Sequence, residues 1–193
     1  MSDTTSQKAD LRAAALAKRD ALPAEMRAAA AEAIAARGLA EAKPGLIVSG
    51  FMPLKSEINP LPLMRRLVQA GATLALPAIA GRGKPLIMRA YAFEDALARG
   101  QWGIREPRPD AAEVAPDILL VPLACFDRAG HRIGYGAGYY DMTISALRAK
   151  KTVVAIGLAF AVQEIPKVPA TERDARLDLV LTEREVIDFR VKD

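Results

Sequence analysis

The chain has one cysteine and one histidine in 193 residues. A lone thiol excludes an internal disulfide and fits a reducing cytoplasm. One Cys with one His also excludes a Cys/His metal cluster. Aromatic residues make up only 5% of the chain, and no Lys/Arg block or aromatic–basic motif is present, so nothing points to nucleic acid. No apolar run approaches the roughly 18–20 residues that a membrane span requires. The basic N-terminal segment is interrupted by Asp3, Asp10 and Asp20, and no apolar region follows it. Neither a secretory nor an organellar targeting peptide is expected there. Internal repeats and low-complexity linkers are absent too.

What is present describes a globular enzyme-sized unit. Hydrophobic residues make up 51% of the chain, enough for one sizeable core, so a single domain over residues 1–193 is expected. The formal net charge is +4, with both signs interspersed. A basic excess of this size suits small polyanions such as nucleotides.

The hydrophobic pattern predicts helices over residues 5–21, from Pro23 to Arg37 with Gly38 closing the second, and from Pro60 to Gln69. Strands are expected at 46–51, at Thr73–Leu76 with Pro77 as a stop, and at Leu86–Tyr91. A short helix is expected from Phe93 to Arg99, then an irregular connection from Gly103 to Pro116. Further strands are expected at Ile118–Pro122, Thr152–Leu158, Asp178–Thr182 and Ile187–Arg190, with a helix at 143–150. Apolar strands alternating with helices imply an α/β fold: a mostly parallel sheet with helices on both faces.

One segment carries chemistry. Between the Ile118 strand and the helix at 143, the chain reads Arg132-Ile133-Gly134-Tyr135-Gly136-Ala137-Gly138-Tyr139-Tyr140-Asp141. A glycine-rich turn entering a helix gathers unpaired N–H groups at the positive end of the helix dipole, a ready anion site. The spacing matches neither the P-loop nor the dinucleotide fingerprint, so spacing alone leaves a purely structural turn equally open. The flanking residues favour phosphate: Arg132 can pair with oxygens, and Asp141 beside a phosphate cradle calls for an intervening cation such as Mg²⁺. Lys8 and Arg12, four residues apart, share one helix face.

The stretch Asp117–Asp141 resembles the signature of the 5-formyltetrahydrofolate cyclo-ligase (5,10-methenyltetrahydrofolate synthetase) family. Four other segments resemble that family as well: Lys8-x-x-Leu11-Arg12 with Arg19, residues 51–58, residues 102–107 and residues 177–183. The resemblance implies an ATP- and Mg²⁺-dependent ligase that closes the 5,10-methenyl ring after the formyl oxygen is phosphorylated. Its substrates would be ATP and 5-formyltetrahydrofolate, with or without a polyglutamate tail. Nucleic acid and membrane would not be partners, and a monomer is expected.

By the same resemblance, ATP falls to Lys8, Arg12, Arg132 and the turn Gly134, Tyr135, Gly136, Ala137, Gly138, Tyr139 and Tyr140. Folate falls to Met52, Leu54, Glu57, Trp102 and Tyr139. Catalytic roles fall to Arg132, Tyr139 and Asp141, and metal ligation to Asp141 and Asp178. Two positions depart from the family pattern. Ala137 stands where many relatives carry Lys or Arg, and Met142 where Arg commonly follows the Tyr-Tyr-Asp. Without the resemblance, a non-catalytic nucleotide- or folate-binding module and a sugar-phosphate isomerase remain as alternatives.

Overall fold

The computed structural model of the protein describes residues 2–190, and the side chains of all of these except 2, 3 and 102. Two helices lead: α1 (Ser2–Asp20) and α2 (Ala24–Arg37). Pro23 precedes α2, where its missing N–H forfeits no bond, and Gly38 closes it at φ 71°. Strand β1 (Ile47–Ser49), helix α3 (Leu61–Gln69) and strand β2 (Thr73–Ala78) form a right-sized β-α-β unit. Strands β3 (Ile87–Tyr91), β4 (Leu97–Arg99) and β5 (Arg105–Pro107) follow. The signature region supplies β6 (Ile118–Pro122), β7 (Cys125–Phe126), β8 (Arg132–Ile133) and helix α4 (Tyr139–Arg148). Strands β9 (Val154–Leu158), β10 (Leu179–Leu181) and β11 (Val186–Asp188) complete the order.

Seven strands form one sheet in the order β11-β10-β9-β6-β1-β2-β3. The five inner strands are parallel, and β3 and β11 close the edges antiparallel. The mostly parallel α/β sheet expected from the pattern is therefore present. Its faces can be read from β6, where alternate residues enter different cores. Ile118 and Leu120 pack with Ile34 of α2 and Leu63 of α3, while Leu119 and Val121 pack with Ile144 of α4. Both faces of β6 are buried, which is why it reads as an unbroken apolar run. At about 25 cal/mol per Å² of apolar surface, this two-sided core dominates the stability. Helix α1 lies elsewhere, packing Ala15 and Leu11 against Cys125, Ile133 and Val168 at one end of the sheet.

Two local expectations are corrected. Strand β2 runs through Pro77 to Ala78 instead of stopping at Leu76. Thr73 N donates to Leu46 O and Gly50 N to Ala75 O, so odd-numbered residues of β2 face β1. Because β1 ends opposite Ala75, Pro77 lies past its partner and its missing N–H costs no ladder bond. The helix expected at Phe93–Arg99 is a turn followed by β4. Asp95 Oδ2 accepts Ala92 N at 2.7 Å while Asp95 N donates to Ala92 O, which closes the turn and releases Leu97–Arg99 to pair with β5. The connection after Gly103 is correspondingly less irregular than expected, since it contains β5.

The sheet has a switch point between β1 and β6. From β1 the chain winds outward to β2, and from β6 it winds the other way to β9 and β10. In open α/β sheets, ligands bind in the crevice beyond the carboxyl ends of the strands at such a point.

Candidate active site

A cavity of about 510 Å³ opens at that switch point, within the usual size range of small-molecule sites. Its floor is formed by the chain leaving β1, β2 and β6, through Phe51, Met52, Pro77, Ile79 and Pro122. Leu54 and Glu57 extend one wall, and Ile104, Arg105 and Glu106 stand on another. The third wall is the glycine turn from Gly134 to Gly138, continuing into Tyr139, Tyr140 and Asp141 of α4. Lys8 and Arg12 of α1 reach the same cavity, as the i, i+4 spacing requires.

The turn has the backbone of a cradle. Gly136 (φ 99°) and Gly138 (φ 68°) both occupy the region open to glycine, and Gly138 directly precedes the first turn of α4. Helix α1 holds the turn in place, since Arg12 Nε donates to Gly134 O at 2.7 Å. Asp141 falls in the first turn of α4, and its Oδ1 accepts both Arg132 Nη2 at 2.8 Å and Ala175 N at 3.1 Å.

Arg132 lines the cavity with its guanidinium already engaged. Its side chain is only 3% exposed and also donates to the Ala175 carbonyl, so it is engaged on two sides. Burial pulls its pKa down, and Asp141 opposes that shift. Arg132 therefore fixes Asp141 and the Ala175 loop.

Asp178 is a larger correction. It lies at the amino end of β10, where its backbone N donates to Ala155 O and its Oδ2 accepts from Arg148 Nη2 at 2.7 Å. Arg148 is at the far end of α4 from Asp141, and the cavity lies at the carboxyl ends of the strands. Asp178 is thus a strand-end partner remote from the site. The second aspartate in the cavity is Asp174, which sequence reading missed. It accepts Lys8 Nζ at 2.6 Å. Burial alone would raise its pKa, but hydrogen bonds from Lys8 and Thr171 outweigh burial and hold it low. No sequence-local signal marks Asp174, because the contact that brings it in spans 166 residues.

Glu57 is held differently. Its Oε2 accepts Leu54 N at 2.7 Å, and Tyr135 O–H also donates to it. Burial is the largest influence and leaves its pKa above the ordinary glutamate value despite these bonds and nearby Arg19. Burial likewise raises the Tyr135 and Tyr140 phenols, which stay protonated at neutral pH. Met52 and Leu54 line the cavity next to Glu57, and Trp102 lies outside the described side chains. Cys125 is fully buried and its thiol is pushed up to about 11, so it behaves as a small hydrophobe.

The cavity thus joins a glycine turn at a helix start, the aspartates Asp141 and Asp174, the basic residues Lys8, Arg12, Arg105 and Arg132, and the glutamates Glu57 and Glu106. Comparison with known proteins gives this arrangement a family. The sequence profile of the 5-formyltetrahydrofolate cyclo-ligase family matches residues 4–183. A 5-formyltetrahydrofolate cyclo-ligase of Mycolicibacterium smegmatis is 33% identical over 193 residues, covering 93% of this chain and 95% of the relative. The Escherichia coli K12 enzyme of the same name is 32% identical over 150 residues, covering 74% of this chain and 80% of that one. The solution structure of the Aquifex aeolicus 5,10-methenyltetrahydrofolate synthetase superposes with a TM-score of 0.77 at 27% identity, over 96% of this chain and 94% of that one. The chain belongs to the 5-formyltetrahydrofolate cyclo-ligase family.

Proposed function

We propose that this protein converts 5-formyltetrahydrofolate to 5,10-methenyltetrahydrofolate, with cleavage of ATP to ADP and phosphate. The observation that carries the reading is the single cavity in which the glycine turn faces the Glu57 segment across the switch point. A reaction between a triphosphate and a folate formyl group needs both in one enclosed space.

The turn from Gly134 to Tyr140 cradles the phosphates, with Lys8 and Arg12 supplying positive charge. Glu57 accepts N–H donors of the pterin edge, and Met52 and Leu54 pack beside it. Tyr139 lies where the two substrates meet. The formyl oxygen attacks the γ-phosphorus and ADP leaves. N10 then attacks the activated formyl carbon and gives up its proton, the C–O bond breaks, and phosphate carries away the former formyl oxygen and takes up a proton. The chain's own part is to align these atoms and keep water from the activated carbon.

Magnesium fits the carboxylates present. Asp141 and Asp174 both line the cavity, and magnesium usually needs only one or two carboxylates alongside phosphates and waters. Magnesium bound there would neutralise triphosphate charge. The buried free Cys125 suits a reducing cytoplasm.

An assay for the methenyl chromophore, run with and without ATP and Mg²⁺, tests the activity. With ¹⁸O in the formyl group, the label is expected in released phosphate. Label in water, or full-rate product without ATP, would rule out phosphoryl activation.

Glu57 gives a second test. Glu57→Gln keeps the shape but removes the charge, so folate binding is expected to weaken by roughly 1.5–3 kcal/mol with little change for ATP. The pH dependence has a definite sign. The ionised carboxylate is the acceptor, so wild-type folate affinity falls as pH drops through a value above the ordinary glutamate pKa. That acid limb should vanish in Glu57→Gln. Loss of ATP affinity with folate affinity intact would place Glu57 in the other subsite.

A further inference from the structure

Arg19, on the last turn of α1, is only 3% exposed although it carries a charge. Burying a guanidinium is costly unless its donors are used, and here they are directed at two hydroxyls. Nε donates to Ser56 Oγ at 3.0 Å and Nη1 donates to the Tyr135 hydroxyl at 2.6 Å. An arginine has no acceptor, so both hydroxyl oxygens must receive, and each must send its single proton elsewhere. Ser56 sends its proton to Asp20 and Tyr135 sends its proton to Glu57. The direction of both chains is therefore set by Arg19.

These two routes run through neighbouring residues of the folate-facing segment, Ser56 and Glu57, and one of them passes through the glycine turn. Tyr135 lies between Gly134 and Gly136, and its ring is half exposed while its hydroxyl is engaged. Arg12, seven residues before Arg19 on the same helix, holds Gly134 O. Helix α1 thus grips the turn at two adjacent residues and the Glu57 segment at one.

We infer that Arg19 is a positioning residue that couples the two substrate subsites, through Tyr135, so that nucleotide in the cradle strengthens folate binding and folate strengthens nucleotide binding. The inference rests on the subsite assignment above. Nucleotide contacts fix the turn and hence Tyr135. A fixed Tyr135 O–H keeps Glu57 in one orientation, with its remaining lone pairs turned to the pterin. By linkage the effect is reciprocal.

The test is calorimetric titration of 5-formyltetrahydrofolate, with and without a β,γ-imido ATP analogue and Mg²⁺, on wild type, Arg19→Lys and Tyr135→Phe. Wild type is expected to bind folate about 5-fold or more tightly once the analogue is present, the lower end of ordinary coupling. In both variants that ratio should fall to about one, whatever change each ligand shows when it binds alone. Tyr135→Phe removes one hydroxyl from a residue whose ring is half exposed, so it stays informative if Arg19→Lys fails to fold. A wild-type ratio near one, or an unchanged ratio in Tyr135→Phe, overturns the coupling. Absence of any folate binding by wild type would instead overturn the proposed activity.

Discussion

Gly136→Val is expected to abolish nucleotide binding in a protein that still folds. The backbone there sits at φ 99°, where a β-branched side chain is strained. Space around the site is not the obstacle. A Cβ added at Gly136 would meet nothing closer than the Arg12 guanidinium at 3.8 Å, an ordinary contact. The strain is relieved instead by a change in the turn, which moves the N–H groups that a phosphate would meet. The turn is exposed and carries no core residue, so the sheet and its two apolar faces are untouched. A loss of at least about 100-fold in ATP affinity, equivalent to ~2.7 kcal/mol, is expected from calorimetry. The thermal midpoint should move by only a few degrees. Wild-type affinity in a folded Gly136→Val protein would remove the turn from the nucleotide site.

The same turn shows why much of the site was legible from the sequence. Alternating glycines, a strand before them and a helix after them are local features, and local features survive into the structure. The cavity gathers Lys8, Arg12, Met52, Leu54, Glu57 and the whole Arg132–Asp141 stretch. The parallel sheet was legible for a related reason, because strands buried on both faces, such as β6, leave continuous apolar runs. What failed was long-range or directional. Asp174 and Asp178 are four residues apart with the same chemistry, but Asp178 directly precedes β10 and Asp174 lies in the loop before it. Asp178 stays with the amino ends of the strands, and Lys8 draws Asp174 to the other end. Arg132 was legible as a residue of the site, but its bonds to Ala175 and Asp141 were not, since the first spans 43 residues. The strand at Leu97–Arg99 was missed because its partner, β5, lies beyond an intervening turn. Arg19 was visible only as a family landmark, since its two hydroxyl partners lie 37 and 116 residues away.

Asp141→Asn and Asp174→Asn, compared directly, should separate the two parts that carboxylates play in this site. Both side chains line the cavity and are proposed to hold magnesium with the triphosphate. Each substitution should therefore sharply lower turnover and raise the magnesium concentration needed for half-maximal rate. Their effects on stability should differ. Asp141 neutralises Arg132, whose side chain is 3% exposed, and asparagine keeps an acceptor but removes the charge. A buried arginine losing its charged partner should cost roughly 1.5–3 kcal/mol, the range for a hydrogen bond to a charged group. Asp174 and its partner Lys8 are each 19% exposed and lie at the cavity rim. Lys8 can turn to water when its partner loses charge, so unliganded stability should fall by about 1 kcal/mol or less. Denaturant titration of the unliganded variants, alongside magnesium dependence of the rate, makes both comparisons. If Asp174→Asn leaves the magnesium requirement unchanged while Asp141→Asn raises it, the metal rests on Asp141 and Asp174 serves to hold Lys8 and Thr171. If neither variant changes that requirement, the carboxylates in this cavity are not magnesium ligands. The phosphoryl-transfer reading would then depend on the fate of the isotopic label alone.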